Sequence, residues 1–249
     1  MHGATSRKSL QDSSGYSLKQ HDLDLVGLTW DQVARCAQRN VPLGMTVNEY
    51  RYFADELRWL LEECEGIRDA DIRLQGSSAR GFSSMHKPFP RCAEDVLDQI
   101  LQSNPSAGRI EVEQIWQTVE QIWRDGRPLQ RPFDSMHRLK ISGEPSDYDI
   151  QISSDLMVNR VSNYITRMGL DPSRMHTSNE KYNFVRKELA AKCFAHLERW
   201  SFDWQNRLGR AVTWALFDSS GPPHLSGDLE ASSSHHRDDD WRVLGGIPL

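Results

Sequence analysis

The chain has 249 residues, 26% of them charged and 38% hydrophobic, with a net charge of −5. That length fits one large domain, or a core with an elaboration, and supports a sizeable hydrophobic interior. The acidic balance excludes a surface uniformly attractive to nucleic acid, and no apolar run approaches the ~18–20 residues that span a bilayer. Cys36, Cys64, Cys92 and Cys193 are widely scattered, which predicts buried thiols in a reducing cytoplasm, not a disulfide or zinc framework.

Residues 1–20 are polar and Ser-rich and predict a disordered or loosely docked lead to a domain at 21–218. Thr29 is a good N-cap for a helix ending near Asn40. Thr46 and Glu49 form a capping-box pattern. The helix that follows carries Tyr50, Phe53, Ala54, Leu57, Leu60, Leu61 and Cys64 at core-facing spacing, with Gly66 as its stop. Ile72 to Leu74 reads as a short strand running into a Gly76-Ser77-Ser78 turn. Such a turn lets backbone N–H groups and a hydroxyl approach phosphate oxygens closely. Arg80, then His86 and Lys87 in a Pro-rich loop, lie just downstream.

Residues 91–125 predict a helical hairpin. Val96, Leu97, Ile100 and Leu101 form one stripe; Val112, Ile115, Trp116, Val119, Ile122 and Trp123 form the other. The stripes read as core, with Trp116 and Trp123 as an alternative homodimer or partner surface. Residues 124–140 carry Arg124, Arg127, Arg131, Arg138 and Lys140, a basic group able to steer a polyanion.

Asp147-Tyr148-Asp149-Ile150-Gln151-Ile152 alternates polar and apolar residues, as a half-buried strand does. Asp147 and Asp149 would share a face, and an all-oxygen pair suits a hard cation such as Mg²⁺. Alone, such a pair is common at turns before strands. Downstream, Ser154 or Asp155 caps a helix to Met168, and Gly169 stops it. A longer helix is expected from Asn179 to Trp200, with Phe184, Val185, Leu189, Cys193, Phe194 and Leu197 inward. A last strand is expected over Gly209 to Phe217, with Thr213 in its interior. Residues 219–249 read as a flexible tail with His235, His236 and Asp238 to Asp240, and Trp241 to Leu249 able to dock back.

Together, the strand, the Gly76-Ser77 turn and the Asp147/Asp149 strand resemble the DNA-polymerase-β-like nucleotidyltransferase superfamily over roughly residues 46–218. The hairpin would be the insertion that puts 71 positions between Gly76 and Asp147. The resemblance implies an α+β fold, a small mixed sheet flanked by helices with an inserted hairpin. It also implies Mg²⁺ (or Mn²⁺) held by Asp147 and Asp149, and NTP phosphates cradled by Gly76 and Ser77. Ser78, Arg80, Lys87 and Thr213 are further candidate nucleotide contacts. Family members often carry a third acid inside the last strand; here Thr213 stands there, with Asp218 and Asp203 as candidates. The implied activity is transfer of a nucleoside monophosphate from an NTP to an acceptor hydroxyl on tRNA, other RNA or a protein. Synthesis of a nucleotide second messenger in anti-phage defence, a catalytically silent binding relative, and a helical interaction protein are the alternatives.

Overall fold

The computed structural model describes residues 10–103, 109–176, 184–220 and 241–243. In chain order its elements are α1 (Gln20–Val26), α2 (Trp30–Ala37), α3 (Val47–Trp59), β1 (Asp71–Gln75), α4 (Ser77–Arg80), α5 (Ala93–Ser103), α6 (Arg109–Ile122) and α7 (Ser135–Arg138). They continue with β2 (Tyr148–Ser153), α8 (Asp155–Arg167), α9 (Lys187–Cys193), α10 (Ala195–Leu208), β3 (Val212–Phe217) and β4 (Trp241–Arg242). The fold is α+β, with a four-stranded mixed sheet flanked by helices. The chain divides into two compact units, Met1–Gly44 with Gly76–Ser146, and Met45–Gln75 with Asp147–Leu249. No helix among the described residues is long and apolar enough to cross a membrane.

The sheet belongs to the second unit. Its order is β3-β2-β1-β4, with β2–β3 parallel and β1 antiparallel to both β2 and β4. Directly paired residues share a face. The register therefore gathers Ile72, Leu74, Tyr148, Ile150, Ile152, Val212, Trp214, Leu216 and Trp241 on one face, and all of them are buried. Helices α3 and α10 cover that face. The Phe53 ring lies 6.4 Å from Tyr148 and 4.8 and 5.3 Å from Trp200 and Trp204. Ser201 Oγ donates to the Val212 carbonyl at 2.5 Å.

Local signals act largely as expected. Thr46 Oγ1 accepts from the Glu49 N–H, and the Glu49 carboxylate accepts from the Thr46 N–H at 2.7 Å. Ser154 Oγ caps α8 by accepting from Met157 at 3.1 Å. The end of α3 differs: a π turn over Leu60–Cys64 inserts extra backbone before Gly66. The wider turn rotates Cys64 off the buried stripe, and it is exposed. The long helix expected to Trp200 is also broken. Val185 instead forms a β-bridge to Leu216, and Phe194, at φ −130 and ψ 59, separates α9 from α10. Phe194 is fully buried, so packing its ring outweighs helical continuity there. The last strand starts at Val212, because α10 continues to Leu208 and closes on Gly209.

Trp241 docks back on the body, as the sequence allowed. It pairs with Leu74, is 2% exposed, and donates its indole N–H to Tyr50 Oη at 2.7 Å. His235, His236 and Asp238 to Asp240 lie outside the described residues.

The first unit packs the α5–α6 hairpin. Val96, Ile100, Val112, Ile115, Val119 and Trp123 are buried with Phe89, Met136, Leu139 and Ile141. Leu101, expected in the stripe, is 39% exposed. Trp123 is 1% exposed and donates to Asp22 Oδ1 at 2.7 Å, so it is core and unavailable as a dimer surface. Trp116 is half-buried beneath the Arg127 guanidinium, 4.5 Å from its ring centroid. Of the basic segment, Arg127 also donates to the Arg91 carbonyl and Arg131 to that of Pro88. Arg124, Arg138 and Lys140 stay exposed.

Order in the polar lead extends well before residue 20. From Leu10 the chain folds back through a Gln11–Ser17 bridge. The reason is Asp12, 7% exposed. Its carboxylate accepts from Ser14 N–H and Oγ–H, Tyr16 N–H, and the Leu129 and Gln130 N–H groups. Burial pushes its carboxyl up, but the bonds from Ser14, Leu129 and Tyr16 outweigh burial and hold it below the ordinary 3.8. A depressed carboxyl stabilises the fold above the unfolded-state value, and that contribution disappears as pH falls through the folded value. Asp12→Ala is thus expected to cost about 1.5–3 kcal/mol at pH 7 in urea unfolding. The difference from the parent protein should shrink below about pH 4, and a pH-independent difference would remove this role from the ionised carboxylate.

Candidate functional site

The opposite face of the sheet is polar. It gathers Arg73 and Gln75 from β1, Asp149, Gln151 and Ser153 from β2, and Thr213 from β3. Arg73, Gln75, Gln151 and Ser153 are buried, and Asp149 and Thr213 are half-buried. Arg73 is neutralised by Asp71, with its Nη2 2.7 Å from Oδ2.

Asp149 is the centre of this face. On one side it is registered opposite Gln75 and on the other opposite Thr213. Thr213 Oγ1 donates to Asp149 Oδ1 at 2.6 Å, the short length typical of a hydroxyl bonded to a carboxylate. Asp147 lies one residue before β2 and is half-buried. The pair sits where β2 enters the sheet, with hard oxygen donors of the kind Mg²⁺ or Mn²⁺ prefers. Among the described residues no group of three His, Cys, Asp or Glu side chains is placed to hold a metal. Two carboxylates fit such an ion when substrate oxygens and water complete its shell.

The candidate third acids fall elsewhere. Asp203 is on α10, the helix covering the apolar face, and pairs with Arg199 Nε at 3.2 Å. Asp218 follows Phe217, which is level with Ser153, and accepts from the Ser220 N–H at 3.0 Å. Five strand steps from Thr213 put it about 16 Å along the sheet. The in-register position carries a hydroxyl, which binds a carboxylate or a polar ligand but supplies no anionic oxygen.

Gln75, the residue opposite Asp149, is bonded directly to Gly76 in the chain. Gly76 has φ 83 and ψ −168, a conformation essentially closed to residues with a Cβ, so the turn demands glycine. Ser77 opens the four-residue α4, with Ser77 and Arg80 half-buried. Ser78 is fully buried, and its carbonyl accepts from the Leu43 N–H at 2.8 Å. That burial inside the first unit takes it out of any open cradle. Lys87 is exposed in the loop after α4, its carbonyl accepting from Ser83 Oγ at 2.8 Å.

A cavity of about 280 Å³ opens on the polar face. Asp149, Thr213, Gln75 and Gln151 line it from the sheet, and Phe184, Val185, Lys187 and Ala190 from the segment running into α9. Sequence reasoning missed the two glutamines and Lys187. The alternation that places Asp149 also places Gln151 on its face, so that signal was present; the β1–β2 register that adds Gln75 was not.

Compared with protein-family models, curated proteins and solved structures, the chain has no significant match.

The Thr213–Asp149 bond should be measurable as a coupling. A double-mutant cycle of Asp149→Ala and Thr213→Val in urea unfolding is expected to give about 1 kcal/mol. Additive effects would mean that the two side chains act independently.

Proposed function

We propose that the chain is a metal-dependent nucleotidyltransferase that moves a nucleoside monophosphate from an NTP to an acceptor hydroxyl. One observation carries this reading. The central strand presents Asp149 on a polar, cavity-bearing face, directly opposite the residue from which a glycine-demanding Gly-Ser turn departs. Chance pairing of two common motifs 71 positions apart would not favour adjacent strands in this register.

In this reading Asp147 and Asp149 hold Mg²⁺ or Mn²⁺, which supplies neutralisation of the charge developing on the departing pyrophosphate. The turn backbone and the Ser77 hydroxyl hold terminal phosphate oxygens, with the Arg80 guanidinium three residues after Ser77. The acceptor oxygen bonds to the α-phosphorus as the bond from that phosphorus to the bridging β-oxygen breaks, and the hydroxyl proton passes to solvent or base. Thr213 holds Asp149 in orientation through its 2.6 Å bond. The acceptor is RNA or a protein, and the site of action is the cytoplasm.

A second reading has its own support. With Thr213 at the in-register position and, among the described residues, no group of three metal-binding side chains, the site also fits a nucleotide-binding relative that performs no transfer.

Pyrophosphate release from each of the four NTPs with Mg²⁺, with and without bulk RNA, distinguishes the two. Release that falls at least 100-fold in Asp147→Ala/Asp149→Ala is the expected outcome, consistent with loss of a metal site. NTP binding by calorimetry without release would select the binding relative, and the absence of both would overturn each reading.

A further inference from the structure

We infer that a second cavity, in the first unit, binds a free α-amino acid with an apolar side chain. The cavity has a volume of about 300 Å³. All of its lining belongs to the first unit, so the inference stands independently of the nucleotidyltransferase reading. Helix α6 contributes Glu111, Gln114, Ile115 and Thr118, whose three- and four-residue spacing puts them on one helix face. Seven helical steps make that face about 10 Å long. Arg138 at the end of α7, and Leu139 and Lys140 in the turn after it, supply the rest together with Leu25 of α1.

The charges in this lining have both signs and are not paired. Arg138 and Lys140 are exposed cations, Glu111 is an exposed carboxylate, and among the described residues none of the three has an ion-pair partner. Opposite charges that share a cavity without touching are complementary to a small ligand that carries both signs. An α-amino acid does so: its carboxylate suits the guanidinium or the ammonium of the two cations, and its own ammonium suits Glu111. Ile115 and Leu139 are buried and Leu25 is half-buried, an apolar surface for an aliphatic side chain. A polyanion such as RNA would meet Glu111 in the cavity and the exposed Glu113 and Glu120 on the same helix. Both cations are set by backbone geometry. A Cβ on Gly27 would stand 3.8 Å from Arg138 Nη2, so the guanidinium lies against the end of α1, two residues from Leu25. Lys140 has φ 59, where a side chain is strained and glycine is not. Glycine would close that turn at less cost, so the contribution of the lysine is its charge.

Calorimetry of the full chain with L-leucine, L-isoleucine, L-valine and L-methionine tests the site. At least one should bind in the millimolar range or tighter. Its N-acetyl derivative and its amide, which lack the ammonium and the carboxylate respectively, should each bind at least tenfold more weakly. Glu111→Gln should weaken the parent amino acid by a similar factor. Lys140→Gly should also weaken it at least tenfold while leaving the melting temperature unchanged or higher, a combination that a merely structural lysine would not give. Circular-dichroism melting checks that each variant folds, and where Lys140→Gly does not, Glu111→Gln decides. No binding by any of the four, equal binding of the N-acetyl derivative, or binding unchanged in Glu111→Gln overturns the site. An RNA oligonucleotide that binds the parent protein and is lost in Lys140→Gly, with no amino acid bound, would overturn it in favour of a polyanion surface.

Discussion

The alternation of β2 is the constraint on which the sheet and its site both depend. Tyr148, Ile150 and Ile152 bury completely against the aromatic layer of α3 and α10, each worth about 1.5–3 kcal/mol of transfer free energy. Because side chains alternate, that burial turns Asp149 and Gln151 to the other face. A one-residue slip would drive a carboxylate into the aromatic layer and expose three large apolar groups, so the register is held by both penalties at once. The hydrophobic interior thus fixes the direction in which Asp149 points. β1 and β3 then bracket it from either side, and the bond from Thr213 restricts it further.

The first unit solves a different problem with similar means. Its short elements bury carboxylates as loop organisers. The Asp12 carboxylate gathers the backbone N–H groups of Ser14, Tyr16, Leu129 and Gln130, while Asp22 accepts from the Trp123 indole, the Tyr16 hydroxyl and the Lys19 N–H. Burial and the neighbouring Asp22 push the Tyr16 phenol well above its ordinary value, so it acts there as a fixed donor. A buried acid is costly alone and favourable when most of its lone pairs are used.

Features that depend on local chemistry were legible in the sequence. The Thr46/Glu49 box, the Ser154 cap, the hairpin stripes and the β2 alternation each follow from spacing alone. Features set by long-range pairing were not. Order at Asp12 depends on N–H groups more than 110 residues away, and a two-residue strand at Trp241 has no period to detect. The π turn and the break at Phe194 are tertiary choices that override helical periodicity. At the site, the Asp147/Asp149 pattern marked the strand, but of the two acids near β3 in sequence Asp203 lies on helix α10 and Asp218 just past the far end of β3. Ser78 looked like part of a cradle because its neighbours do, and burial decides otherwise.

The interleaving of the chain has a consequence for vectorial synthesis. Each unit is assembled from two separated stretches, Met1–Gly44 with Gly76–Ser146 and Met45–Gln75 with Asp147–Leu249. When β1 leaves the ribosome, neither of its neighbours in the sheet exists; β2 follows after 72 further residues and β4 nearly a hundred later still. The intervening chain can meanwhile collapse into the hairpin unit, whose contacts are complete once Ser146 has emerged. During that interval both backbone edges of β1 lack their strand partners, and Ile72 and Leu74 lie on its apolar face. Nascent-chain capture by chaperones should therefore concentrate on intermediates between residues 75 and 153, and domain exchange between two growing chains would begin at the same strand.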